Sequence, residues 1–150
     1  MRVLIQRVSQ ANVKISGLLK AGIKHGMLIF IGIEDADDLN DLEWLCNKII
    51  KLRIFDDENG VMNLSVDEVE GEILMISQFT LHASTKKGAR PSYIKAAHPD
   101  KAIPLYNRFI LELNKRSKRE VKTGEFGAEM LVELINNGPV TILIDSKSRE

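Results

Sequence analysis

Apolar and polar residues alternate through MRVLIQRV (1–8) and again through NVKIS (12–16). A period of two sets one face of each segment against a core, so both are expected as strands. GMLIFIGI (26–33) is continuously apolar instead, the pattern of a strand covered on both faces. The period then changes. Leu42, Leu45, Cys46, Ile49 and Leu52 recur at helical spacing, and Asp35, Asp37 or Asp38 stands where a helix N-cap belongs. RIFDDENGVMNL (53–64) holds Asn59-Gly60, a tight-turn signal that predicts a short hairpin or a turn between extended pieces. Gly71 introduces a further strand, EILMIS (72–77). From Gln78 to His98 no period persists, and a loop of that length is either functional or disordered. A second helix is expected from about Pro104 to Lys115, with Tyr106, Phe109, Ile110 and Leu113 on one side and Pro104 in its first turn. EMLVELI (129–135) and VTILID (140–145) read as two strands joined by NNGP, followed by a polar tail. Strands outnumber helices and come in consecutive groups. The expected class is therefore α+β: a single domain over 1–150, with antiparallel-rich β sheets and two main helices packed on one side, as β/β/α layers.

Composition narrows the class. At 150 residues, 44% hydrophobic and 28% charged, the chain can bury a core without metals or disulfides. No apolar run approaches the length of a membrane span, and residues 1–8 alternate instead of forming a signal peptide's apolar stretch, so a cytoplasmic location is expected. The single cysteine, Cys46, lies on the inner face of the first helix and is expected to be an inert core residue. Twenty-one basic residues balance twenty-one acidic ones, which argues against a protein that coats nucleic acid by charge alone. The distribution is uneven, however. Lys86, Lys87, Arg90 and Lys95 form one basic cluster, and Lys115, Arg116, Lys118, Arg119 and Lys122 another. Either could meet phosphates over a limited footprint or be a solvated surface.

Two short segments carry chemistry. Gly138-Pro139 abuts the apolar run at Val140; an X-Pro bond adopts cis at a cost of only about 0.5–1 kcal/mol, so a tight cis turn is available there. With no side-chain chemistry and no N–H on the proline, such a corner displays carbonyl oxygens, which would recognise a cationic amine. A plain hairpin turn is the ordinary alternative. SQFTL (77–81) is the place where a buried strand opens into the long basic loop. Ser77 and Thr80 bring hydroxyls and Gln78 an amide, and backbone N–H groups near Phe79 and Thr80 could stabilise an oxyanion if unpaired. His82 would share a side with Thr80 if the strand continued. GxSxG, CxxC, HExxH, GxxxxGK[ST] and GxGxxG are all missing, so neither a metal nor an organic cofactor is expected.

SQFTL followed in order by NGPVT (137–141) resembles the paired signature of the D-aminoacyl-tRNA deacylases (the D-tyrosyl-tRNA deacylase family), which remove D-amino acids misattached to tRNA. The likeness extends through IQRV (5–8), RIFDDENGVMN (53–63), RPSY (90–93) and TGEFGAEM (123–130), over nearly the whole chain. It implies a homodimer in which a Gly-cisPro pair, here Gly138 and Pro139, enters the partner's site and its carbonyls engage the substrate's α-amino group. A gate of main-chain atoms around the α-carbon would be strict about handedness and loose about side chain. Glycine mischarged onto a non-cognate tRNA such as tRNA-Ala would pass as well. The resemblance further implies that Ser77, Gln78, Phe79 and Thr80 line the scissile ester, with the Phe79 and Thr80 N–H groups on the carbonyl oxygen. Arg7 would support the corner, and Phe126 and Met130 would receive the terminal adenine, although both also suit ordinary packing. Attack is expected from a water activated by the tRNA's terminal 2′-hydroxyl, in preference to an unactivated Thr80 hydroxyl. Asn137 stands where the family often has an acidic residue. From charge and position, Lys86, Lys87, Arg90 and Lys95 are expected to meet the acceptor stem. Two rival readings remain: a non-catalytic RNA-end binding module, and a general esterase using Thr80 and His82.

Overall fold

The computed structural model describes residues 1–149. Its centre is β1 (Arg2–Ile15), which pairs antiparallel with β2 (Leu18–Ile23), β3 (Gly26–Gly32) and the long carboxy-terminal strand β8 (Met130–Asp145). β6 (Glu72–Ser77) lies parallel to β3, and β7 (Lys122–Thr123) parallel to β6; β4 (Phe55–Asp56) and β5 (Met62–Leu64) form the expected hairpin around Asn59-Gly60. The main sheet is thus mixed, while antiparallel pairings predominate.

The two alternating segments near the amino terminus belong to one strand, because β1 runs straight through Ser9 and Gln10 with register shifts on either side of Val8. A β-bulge bends and twists a strand locally. Residues Arg2–Val8 of β1 pair with β3 and residues Ala11–Ile15 with β2, which no alternation in the sequence marks. The sheet bends at this point and its far half folds back, so that Lys122 Nζ on β7 reaches the Gly22 carbonyl on β2 at 2.7 Å.

The bend creates two cores. Val3, Ile5, Met27, Ile29, Ile31, Ile73 and Met75 meet the helices, whereas Val8, Ala11, Val13, Ile23, Leu28, Leu74 and Ile76 fill the inside of the bend. β3 and β6 contribute to both, which is why their sequences are apolar on both faces. These are the β/β/α layers.

Helix α1 (Leu39–Lys51) is capped by Asp38, whose carboxylate accepts from the backbone of Asn40 at 2.8 Å and Asp41 at 3.2 Å while Asp41 caps Asp38 N–H in return. Such a cap contributes about 0.5–2 kcal/mol. α2 (Pro99–Asn114) begins five residues before the predicted start: His98 caps it and Pro99 takes the first-turn position assigned to Pro104. Pro104 sits inside the helix on an exposed face, where its missing N–H withdraws one backbone bond without crowding the core. Leu42, Leu45, Cys46 and Ile49 of α1 and Ala102, Tyr106, Phe109 and Leu113 of α2 all enter the helix-side core. Burial pushes the Cys46 thiol up to about 12, so it is neutral and unreactive as expected. Among the described residues, no helix is long and apolar enough to cross a membrane.

Candidate active site

The strand pair β3 and β6 ends with Ile31 opposite Ser77. Gln78 N–H still donates to the Ile31 carbonyl at 2.7 Å, and the chain then leaves the sheet as a short 3-10 turn, Phe79–His82. No acceptor among the described backbone groups takes the N–H of Phe79 or Thr80, the first donors of that turn. The Gln78 amide donates to the Thr80 hydroxyl at 2.5 Å and fixes its orientation.

Beside this strand end lies a cavity of about 300 Å³, at the lower end of the range for small-molecule sites. Ser77, Gln78 and Phe79 line it from the strand end, and Phe126 and Met130 line it as well. Tyr106, which helical spacing marks only as a core residue, also lines the cavity; its ring lies 5.7 Å from that of Phe126 and its hydroxyl donates to the Met75 carbonyl at 3.3 Å. Burial pushes the Tyr106 hydroxyl up to about 12, so it remains a neutral donor. The sequence offered no means of telling a helix face that lines a cavity from one that fills a core.

Thr80 is near this cavity in the chain but does not line it. The supposed pairing with His82 also fails, because the strand stops at Ser77 and two residues along a 3-10 turn point in different directions. His82 is 1% exposed, and neither ring nitrogen has a hydrogen-bond partner among the described residues. Among the same residues, no cluster of three or more His, Cys, Asp and Glu side chains could hold a metal.

Gly138 and Pro139 lie elsewhere, exposed on the surface of the chain and outside the cavity. They are not the hairpin turn between two strands that the pattern suggested. β8 is continuous, and the corner is a bulge within it: between Gln6↔Thr141 and Val8↔Asn136, the single residue Arg7 on β1 faces the four residues from Asn137 to Val140. The Gly138-Pro139 peptide bond is cis. Arg7 is 6% exposed and is wedged beneath the bulge; its guanidinium donates to the Asn137 carbonyl at 3.1 Å, the Ile54 carbonyl at 2.7 Å and Asp56 Oδ1 at 3.1 Å. Asn136 donates to the Arg7 and Val140 carbonyls, both at 3.0 Å. Side-chain donors thus brace the corner through the Asn137, Arg7 and Val140 carbonyls. At Asn137 the working atom is the carbonyl, so the departure from an acidic residue does not affect this support.

The two basic clusters separate clearly. Lys115 and Arg116 pair with Glu112, as does Arg108, and hydrogen bonds from Lys115 and Arg116 pull that carboxyl down to about 2. Lys122 pairs with Glu72, Arg119 approaches Glu70, and Lys118 bonds to Asp67. The second cluster is therefore tied into the fold, with Glu112, Glu70 and Glu72 facing it. Lys86, Lys87, Arg90 and Lys95 are exposed, and none pairs with a carboxylate among the described residues.

Fold and cavity together define an α+β protein with a cavity at the end of a parallel strand pair, where an exposed basic loop begins. The family model described as D-Tyr-tRNA(Tyr) deacylase matches residues 4–145, and the chain belongs to that family. It is accordingly a deacylating hydrolase that acts on aminoacyl-tRNA. A D-aminoacyl-tRNA deacylase of Bacteroides fragilis (strain YCH46) is 64% identical over 150 residues, and one of Phocaeicola vulgatus is 65% identical; each alignment covers all of both chains. Among solved structures, a c-Myc DNA Unwinding Element Binding Protein superposes with a TM-score of 0.92 at 37% identity, covering 97% of this chain and 98% of that one. A probable eukaryotic D-amino acid tRNA deacylase shares the fold, with a TM-score of 0.80 at 18% identity over 95% of this chain and 97% of that one.

Proposed function

We propose that this chain is a cytoplasmic, homodimeric proofreading enzyme that hydrolyses D-aminoacyl-tRNA and spares the L form, using Gly138 and Pro139 as a gate placed in the partner's cavity. The observation that carries the reading is the separation of the two motifs. The corner is exposed, braced by Arg7 and outside the cavity lined by Ser77, Gln78 and Phe79 of the same chain, which suits joint action on one substrate across a pair of chains. A surface for that pairing is available: among the described residues β8 pairs only with β1, and Leu131, Ile135 and Leu143 are more than half exposed along it. An unpaired, apolar edge strand is ordinarily covered by a partner.

In this arrangement the carbonyls of the corner accept from the α-ammonium group. The Phe79 and Thr80 N–H groups meet the carbonyl oxygen of the ester, and Phe126 and Met130 hold the terminal adenine. Handedness is read by main-chain atoms around the α-carbon. Side chains of many kinds are therefore accepted, and glycine on a non-cognate tRNA such as tRNA-Ala is accepted too. Lys86, Lys87, Arg90 and Lys95 attract the acceptor stem.

Attack comes from a water activated by the 2′-hydroxyl of the terminal ribose. Two features favour this over Thr80: its hydroxyl is engaged by Gln78, and His82 is buried away from it. The expected result is that Thr80→Ala retains kcat within about ten-fold, because no covalent step is lost. A D-tyrosyl-tRNA ending in 2′-deoxyadenosine, by contrast, is hydrolysed slower by about 100-fold or more, the lower end of the usual range for acid–base assistance. A trapped acyl-Thr80 intermediate, or normal turnover of the deoxy substrate, would favour the esterase reading instead.

A further inference from the structure

From Gln78 to His98 the sequence has no acidic residue and four permanent cations. Although this segment is exposed, it is pinned. Ser84 and Ser92 exchange backbone hydrogen bonds at 2.8 and 2.9 Å, Ala96 N–H donates to the Tyr93 carbonyl at 2.9 Å, and Ala97 N–H donates to the carbonyl of Ile33, just past β3, at 2.9 Å. Three large apolar side chains stand out on its surface: Phe79 is 54% exposed, Tyr93 40% and Ile94 90%. The Phe79 and Tyr93 rings meet edge to face, 5.0 Å apart at 72°. Phe79 also forms part of the cavity wall, so the aromatic pair begins at the cavity and continues onto the segment that carries the four cations.

We infer that Phe79, Tyr93 and Ile94 form a stacking platform for the unpaired nucleotides immediately preceding the terminal adenosine of tRNA, with Lys86, Lys87, Arg90 and Lys95 taking their phosphates. The inference rests on the deacylase reading and adds a second binding subsite to it. Exposed aromatic faces flanked by unneutralised cations are what a single strand needs, since its bases offer π-faces and its backbone offers charge. A duplex hides its bases and would leave the aromatic pair without a role. The rigid ends of the loop mean that little order has to be imposed when the strand docks.

The test compares two substrates, full-length D-tyrosyl-tRNA and 3′-O-D-tyrosyl adenosine, which lacks the preceding nucleotides. For Tyr93→Ala, kcat/KM on the tRNA should fall by about ten-fold relative to kcat/KM on the adenosine ester, the worth of one stacked base, with the loss residing in KM. Tyr93→Phe should restore the ratio, since stacking needs the ring and not the hydroxyl. An equal loss on both substrates would make Tyr93 a mere prop for Phe79 and overturn the platform. An unchanged ratio would also overturn it. If Ile94→Ser then converted a dimer to a monomer in sedimentation, the patch would belong to a second copy of the chain. An unaltered enzyme inactive on both substrates would instead remove the deacylase reading, and this subsite with it.

Discussion

A Gly138→Ala enzyme is expected to lose about 100-fold in kcat/KM on D-tyrosyl-tRNA, the scale set by a displacement of roughly 1 Å in a positioning element. Gly138 has φ +126°, where an L side chain is strained by about 1–3 kcal/mol. A Cβ built there would lie 2.7 Å from the Arg7 guanidinium and 2.9 Å from Val140 Cγ2. The alanine has no free direction. Arg7 cannot withdraw without breaking its bonds to Asn137, Ile54 and Asp56, so the corner itself must move. Because the bulge is local, pairing of β1 with β8 on either side should survive, and a urea midpoint should report a loss of about 1–3 kcal/mol rather than unfolding. Full activity in a folded Gly138→Ala protein would show that the corner does not take part in the reaction.

The largest loss of stability is expected at Gly26. A Cβ at this position would fall 1.9 Å from the Glu72 carbonyl oxygen and 2.6 Å from its nitrogen, both of them backbone atoms. Gly26 and Glu72 open the parallel pairing of β3 with β6, and no side chain is available there to yield. The strands must separate, costing about 3 kcal/mol or more, beyond the usual range for overpacking. Ser77 and Gln78, at the far end of β6, would lose their frame in the same event. Gly22→Ala is the matched control: its nearest neighbours, Asn12 Cβ at 3.5 Å and Ala11 O at 3.6 Å, are at ordinary contact distance. Urea unfolding should place Gly22→Ala near the parent protein and Gly26→Ala far below it. Similar midpoints for the two would refute the account of this strand pairing.

The elements legible in the sequence were those whose local pattern and tertiary role agree. The apolar runs of β3 and β6 are covered on two faces, Asp38 caps α1, and Asn59-Gly60 turns the hairpin. What escaped depended on contacts distant in sequence. β8 looked like two strands because Gly138-Pro139 carries a turn signal, and only pairing against Arg7 reveals a bulge in one strand. β2 lacked alternation because Leu18 and Leu19 are both exposed at its start. Pro104 read as a helix start because nothing local marked Pro99 as the better one. At the site, Ser77, Gln78, Phe79, Phe126 and Met130 fall around one cavity, whereas Gly138, Pro139 and Arg7 lie apart from it. The charge count could not show which basic cluster was free, since Glu72, which pairs with Lys122, lies 50 residues away in sequence.

The central claim is that backbone atoms sort the substrate by handedness, and the most direct measurement is release of tyrosine from matched D-tyrosyl-tRNA and L-tyrosyl-tRNA by the purified protein. The account predicts rapid hydrolysis of the D form, with the L form hydrolysed slower by about 100-fold or more, a difference of roughly 2.7 kcal/mol in transition-state stabilisation. Equal hydrolysis of the two would leave an esterase without a chirality gate and contradict the account.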